Sequence, residues 1–288
     1  CVTRDQVVAR MFMKRLPIDL LPTFKQRFRT GSALLACLSI LLGSGCAPEP
    51  DEKVLRVGME LAYPPFEMRG TDGAPSGVSV EIAKALGESL GREVIIENLA
   101  FDGLIPSLKT GKIDLIISSL TATPKRAESI DFSDSYLTTG LCLLVGKESS
   151  VQSFEDLVGN DGVVAVKNGT TGHQHAVDHL PIGRVLVLDS ESSCVLEVVQ
   201  GKAVAFIYDQ MSVYKNWKRN EDTTRAILTP FQEESWAIGV RKGRENLLIA
   251  INVFLRQFSK SGGFDKLGDQ FLKEQKVAFD ELGVPFYF

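Results

Sequence analysis

Residues 101–126 read FDGLIPSLKTGKIDLIISSLTATPKR. The stretch holds three elements in short compass. Residues 104–110 form a helical segment, and Gly111 stops it, because glycine takes the left-handed conformation of a helix C-terminus without strain. Residues 113–118 (IDLIIS) are an apolar run of the kind buried on both faces of a parallel sheet. Thr123 and Pro124 then open another helix, a capping hydroxyl followed by a proline in the first turn. Helix, buried strand and helix in 26 residues is the grammar of an α/β layer.

The same grammar extends in both directions. Upstream, residues 54–58 (VLRVG) and 94–99 (VIIENL) are strands. Between them lies a helix with Ile82, Ala83, Leu86 and Leu90 on one face, which Ser79 is placed to cap and Gly91 to close. Downstream the pattern restarts after residue 150. Ser153 and Asp156 form a capping box, strands are expected at 163–166, 185–188 and 204–208, and helices at 171–179 and 194–200. Residues 235–240 (SWAIGV) are a further strand. An amphipathic helix over 246–258 follows, with Leu248, Ile251, Leu255 and Phe258 on one side, ending at Gly262 and Gly263. The order predicts mainly parallel sheets covered by helices, in two α/β lobes.

Composition fits this class. The 288 residues are 44% hydrophobic and 24% charged, with 25 Gly, 12 Pro and 5 Cys, which excludes a disordered chain or a disulfide-stapled miniature. A net charge of −4 argues against a nucleic-acid partner. The charge is unevenly spread. Residues 1–45 carry seven basic residues and two acidic ones, while the remainder carries 25 basic and 34 acidic. Lys25, Arg27 and Arg29 precede an apolar stretch centred on 33–42 and then small residues, the pattern of an export leader. Met11 or Met13 would begin a leader of conventional length. That apolar centre is shorter than the roughly 20 residues that span a bilayer. Residues 47–53 (APEPDEK) read as a tether.

The ends of the expected strands concentrate polar chemistry, and in open α/β sheets that is where ligands bind. Ser118, Ser119, Leu120 and Thr121 follow the 113–117 strand, and Arg126 stands in the first turn of the next helix. A cation beside a helix N-terminus is unfavourable unless an anion lies between them, and a carboxylate suits that place. Asn168, Gly169, Thr170, Thr171 and Gly172 form a strand-to-helix turn rich in hydroxyl and N–H groups. Asp209 ends the 204–208 strand and suits an ammonium. Taken singly, each has an ordinary structural explanation: Asp209 or Thr170 as a helix cap, Arg126 paired with Glu128 or Asp131.

The strings YPPFE (63–67), FDGLIPSLKTGKIDLIISSLTATPKR (101–126), IDFSDSY (130–136), NGTTG (168–172) and GGFDKL (262–267) occur in order. Over residues 55–271 the chain resembles the amino-acid-binding subfamily of bacterial solute-binding proteins that serve ABC transporters. The resemblance implies the type II, flytrap form of the periplasmic-binding-protein fold, with two α/β lobes joined by two hinge strands near 137–144 and 233–240. Lobe 1 would be 54–140 plus 236–288, lobe 2 would be 141–235, after a signal peptide of lipoprotein type (1–45) and a tether (46–53). The run Leu42-Gly43-Ser44-Gly45-Cys46 resembles a lipobox, with Leu one position further from the cysteine than usual; Cys46 would carry the lipid.

Matched by motif, Arg126 would clamp a ligand α-carboxylate with Thr121, Thr170 and Thr171. Asp209 with Ser119 would take the α-ammonium, Tyr63 and Phe101 would sandwich the side chain, and Ser118 and Leu120 would line the site. Glu60 stands where basic- and amide-binding relatives often place an acid, which favours an arginine-like side chain first and glutamine second. The implied partners are a free L-amino acid and an ABC permease in the inner membrane. The protein would be an exported monomer, in the periplasm or on the outer face of the membrane, with no cofactor and no metal. An enzyme of cyclohexadienyl or arogenate dehydratase type on the same scaffold is the alternative, with Glu60 as general acid; the ammonium-binding Asp209 argues against it.

Two further groups are expected to be bland. His173, His175 and His179 fall on one turn and helix, and the i, i+4 pair has metal-ligand spacing, yet only Asp178 is near; they read as solvated helix residues. Cys142 and Cys194 read as two buried free thiols.

Overall fold

The computed structural model describes residues 53–285. The expected leader, the Cys46 anchor and the tether up to residue 52 lie outside the described residues, as do Phe286, Tyr287 and Phe288. The strands are β1 (Val54–Met59), β2 (Ala62–Tyr63), β3 (Glu67–Arg69), β4 (Pro75–Ser76), β5 (Glu93–Asn98), β6 (Leu115–Ile116), β7 (Asp131–Gly146), β8 (Val164–Lys167), β9 (Val185–Leu188), β10 (Ala205–Asp209) and β11 (Thr224–Val240). The helices are α1 (Val78–Leu90), α2 (Leu104–Thr110), α3 (Pro124–Ala127), α4 (Phe154–Val158), α5 (Thr171–His179), α6 (Glu191–Val199), α7 (Gln210–Arg219), α8 (Glu245–Lys260), α9 (Gly263–Phe271) and α10 (Lys273–Glu281).

Among the described residues, eight strands form one sheet in the order β5-β1-β6-β11-β7-β10-β8-β9. The three strands at one end, β5, β1 and β6, run parallel. So do β10, β8 and β9 at the other. Between them β11 and β7 pair antiparallel over almost their whole lengths. The parallel sheets expected from the βαβ order hold within each lobe, and the long antiparallel pair joins the two. The core divides accordingly. Leu55, Val57, Ile82, Leu86 and Ile238 belong to one apolar cluster, with Leu104, Leu108 and Ile116 in a second beside them. On the other side, Leu143, Val164 and Ile207 form one cluster, and Cys142, Cys194 and Phe206 another. The fold is thus α/β and two-lobed. The two cysteines are free and buried in that last cluster.

Local chemistry explains the helix ends. Gly91 and Gly111 adopt the left-handed conformation, with φ of 63° and 77°, and return their N–H groups to the last turns of α1 and α2. The Ser153/Asp156 capping box opens α4. Ser79 does not cap α1; Gly77 precedes the helix, and the Ser79 hydroxyl donates instead to Glu67 Oε2 at 2.6 Å. Ser79 is the second residue of α1, inside the helix and not at its cap, and its hydroxyl is turned to the buried Glu67 carboxyl. Helix α10 carries Phe279, 1% exposed, whose ring lies 5.1 Å from that of Tyr214 on α7. Among the described residues, no helix is long and apolar enough to cross a membrane.

One glycine sets the height of a cleft-facing helix. A Cβ on Gly172 would sit 2.8 Å from the Ile207 carbonyl oxygen of β10. We expect Gly172→Ala to push α5 off the strand and to lower unfolding free energy by about 1–3 kcal/mol, the usual cost of overpacking. Urea denaturation of both proteins measures this, and an unchanged midpoint would refute the close approach.

Candidate functional site

The cleft is built from strand ends. Glu60 follows β1, Tyr63 closes β2, Ser118 to Thr121 follow β6, Thr170 and Thr171 follow β8, and Asp209 ends β10. The open space they share is about 450 Å³, part of it continuous with solvent. Ser119 turns the chain with a φ of 49°, unusual for a residue with a side chain. The Ser118 hydroxyl accepts from the Glu60 N–H at 2.9 Å, and Ser119 donates to Glu67 Oε2 at 3.1 Å. Glu67 is 1% exposed, and burial pushes its carboxyl up from 4.5 to about 8 against the pull of the Ser79 and Ser119 hydrogen bonds.

Arg126 is placed by α3. Thr123 caps that helix by accepting from the Arg126 N–H at 3.2 Å. The guanidinium donates to the carbonyls of Thr121 at 2.7 Å and of Gly169 at 3.0 Å. Burial lowers its pKa to about 10, while the nearby Glu234 opposes the shift, so it remains a cation at neutral pH. Asp131 instead pairs with Lys242. Glu234, on β11, accepts from the Thr121 hydroxyl at 3.0 Å. Burial raises its pKa, and hydrogen bonds from Thr171 and Thr121 resist.

Asp209 is both a cap and a cleft residue. Its Oδ1 accepts from the Ser212 N–H at 3.0 Å at the start of α7, and from the Tyr63 hydroxyl across the cleft. Burial pushes its carboxyl up from 3.8 to about 6, against the pull of those two bonds. Other bonds also tie the two sides of the cleft: Glu60 with Lys167, Arg126 with Gly169, and Asn168 with Asp102 at 3.1 Å. The lobes stand closed on one another.

Of the residues expected at the site, Glu60, Tyr63, Phe101, Ser118, Ser119, Thr121, Arg126, Thr170, Thr171 and Asp209 all line this cleft. Leu120 does not; its side chain is 1% exposed in the cluster with Leu104, Ile116 and Ile130. Thr170 also caps α5, accepting from the His173 N–H at 3.2 Å. Sequence reasoning missed Glu67, Tyr208, Glu234 and Trp236 as lining residues and Lys167 as the partner of Glu60. Lys167 had a signal, a charged residue closing the apolar run VAVK. The histidines are not simply solvated. His175 stacks on His179 at 4.1 Å, packs on Phe154 at 4.4 Å and meets Gln232 through Nδ1 at 2.8 Å. Among the described residues no group of three or more His, Cys, Asp or Glu is placed to hold a metal.

The model of one family, described as bacterial extracellular solute-binding proteins, family 3, matches residues 55–274. The chain belongs to that family. The L-cystine-binding protein TcyJ of Escherichia coli K12 is 29% identical over 218 residues, covering 75% of this chain and 81% of TcyJ. Among solved structures, a variant of ArgBP from T. maritima superposes with a TM-score of 0.70 at 36% identity, over 77% of this chain and 96% of that one. The ancestral amino-acid-binding protein AncCDT-1, described as a precursor of cyclohexadienyl dehydratase, gives 0.69 at 36% identity, over 76% and 96%. The match covers both lobes and the hinge and ends at the second residue of α10. The family's members are extracellular or periplasmic proteins that bind free amino acids and deliver them to ABC permeases.

Glu67 sets a stability test. Its folded pKa lies above its unfolded one, so the folded state holds the proton more tightly. The stability gained is complete below 4.5 and lost as pH rises through about 8. Thermal unfolding of the wild type is therefore expected to fall more steeply than that of Glu67→Gln between about pH 5 and about pH 9. Parallel slopes would mean that Glu67 is ionised in the folded protein.

Proposed function

We propose that this chain is the substrate-binding component of an amino-acid ABC importer and closes on a polar L-amino acid. The observation that carries the reading is a partly buried guanidinium, Arg126, and a buried carboxylate, Asp209, lining one cleft from opposite lobes. A zwitterion satisfies both at once. Its carboxylate accepts from Arg126 and from the N–H groups at the start of α5, and its ammonium reaches Asp209. A ligand that bonds both lobes stabilises the closed form over the open one by its differential contacts. Lobe 1 comprises 54–140 plus 236–288 and lobe 2 comprises 141–235. The Glu60 carboxylate favours a polar, arginine-like or amide-bearing side chain, and the arginine-bound structure of ArgBP supports this range.

The reading is that of a receptor and not an enzyme, because the dehydratase alternative needs Glu60 as an acid and that carboxyl meets Lys167 instead. The basic, then apolar, leader over residues 1–45 supports a lipid at Cys46 that would hold the protein, as a monomer, to the outer face of the membrane. Cys46→Ala is expected to move it from the membrane fraction to the released fraction, and unchanged partition would sink the anchor.

Arg126→Ala removes one partner of a hydrogen-bonded charge contact inside the cleft, a loss of roughly 2–5 kcal/mol. Calorimetry is expected to show amino-acid affinity reduced about 30-fold or more. Unchanged affinity would overturn the carboxylate assignment.

A further inference from the structure

The turn of Asn168, Gly169 and Thr170 is, on the amino-acid reading above, lobe 2's share of the carboxylate site. It is held from both sides. From lobe 1, Arg126 donates to the Gly169 carbonyl at 3.0 Å, and Asp102 Oδ2 accepts from Asn168 Nδ2 at 3.1 Å. From lobe 2, Thr170 Oγ1 donates to the Lys167 carbonyl at 2.7 Å and accepts from the His173 N–H at 3.2 Å. The remaining support is the His173 ring, whose Nδ1 accepts from the Gly169 N–H at 3.3 Å. Gly169 stands in the left-handed region, with φ of 76°, and a Cβ there would lie 3.0 Å from Asp102 Cβ. The turn is thus pressed against lobe 1 at the residue His173 holds.

That hydrogen bond exists in one charge state only. A neutral imidazole with its proton on Nε2 offers a bare Nδ1, whereas the imidazolium carries N–H at both nitrogens and cannot accept. Protonation sets two donors against each other, and the Gly169 N–H has to turn away. The surroundings favour the neutral ring. His173 lines a groove with Lys125 and Arg126 of α3 and with His175, Asp178 and His179 of its own helix. The acids nearby are engaged elsewhere. Asp178 accepts from Gln174 at 2.7 Å, and Asp102 accepts from Asn168. Lys125 reaches across the lobes to donate to Gln174 Oε1. Partial burial first, and then the charge of Lys125, hold the His173 pKa below its ordinary value. Lys125 belongs to lobe 1, so its repulsion is felt most when the lobes are closed.

We propose that His173 is a positioning residue for the carboxylate-binding turn: its neutral ring fixes Gly169 for the grip of Arg126, and its protonation loosens that grip, so that ligand is held less tightly in acid. Closing the lobes disfavours the charged ring, so binding expels its proton. Affinity is complete above the ordinary histidine range and falls as pH drops through it.

The test is calorimetry of the purified full chain with arginine and with glutamine, from about pH 7.5 to about pH 4.5, where neither ligand titrates. Asp209, pushed up to about 6, titrates in the same window, so the wild type is read against variants. His173→Ala removes the acceptor and is expected to bind about three- to tenfold more weakly at neutral pH. His173→Asn puts an amide oxygen where Nδ1 was, an acceptor with no charge to gain. It is expected to recover that loss at neutral pH and to lose about three- to tenfold less affinity than the wild type on acidification. Should neither variant fold, the His173 ring resonances of the wild type give its pKa with and without arginine, and a fall on binding is expected. A pKa unmoved by ligand, parallel acid profiles of wild type and His173→Asn, or full affinity in His173→Ala overturns this proposal and leaves the amino-acid reading standing. A wild type that binds neither amino acid at any pH overturns both.

Discussion

Everything else hangs on the antiparallel pairing of β7 with β11. These strands, 16 and 17 residues long, are shared by both lobes. The parallel triplets attach to their outer edges, β6 to β11 and β10 to β7. The pairing is interrupted between Ile227 and Gln232 and again around Ala237. Pro230 lies in the first break, where its missing N–H removes no ladder bond. Gly140 faces it: a Cβ there would come within 2.7 Å of the Gln232 carbonyl oxygen. A ladder with breaks and a close backbone approach, at the point where the chain crosses between lobes, is where bending is least costly.

The same strands supply the floor of the cleft through Glu234 and Trp236. Chemistry and hinge are therefore one structure. Glu234 holds the Thr121 hydroxyl, the Thr121 carbonyl holds Arg126, and Arg126 reaches the Gly169 carbonyl in the other lobe. The charges that line the cleft come in opposed signs. Burial pulls Arg126 down to about 10 and pushes Asp209 up to about 6, each in the direction that disfavours its ion. A zwitterion gives each the opposite charge it lacks.

Features decided within a few residues were legible in the sequence. The bounds of α2, α5 and β9, the capping box of α4 and the glycine stops of α1 and α2 follow from side chains acting on their own backbone. Features decided by neighbours distant in the chain were not. Residues 224–234 lack a clean strand pattern, and pairing with β7 makes them the first part of β11. Helix α7 was not read as a helix, although its Asp209 cap was named. Ser79 looked like a cap until the fold brought Glu67 to it, and Leu120 looked like a lining residue until its side chain turned into the core.

The sequence by itself determined the two α/β lobes and the strand-end loops, because these depend on periodicity and caps, and motif order with the family resemblance named ten of the side chains that line the cleft. Only the tertiary structure decided which of those side chains are already paired. Lys167 meets Glu60 across 107 positions of the chain, and Tyr63 meets Asp209 across 146. No local pattern encodes such a contact, since it exists only when two separately folded lobes close on each other.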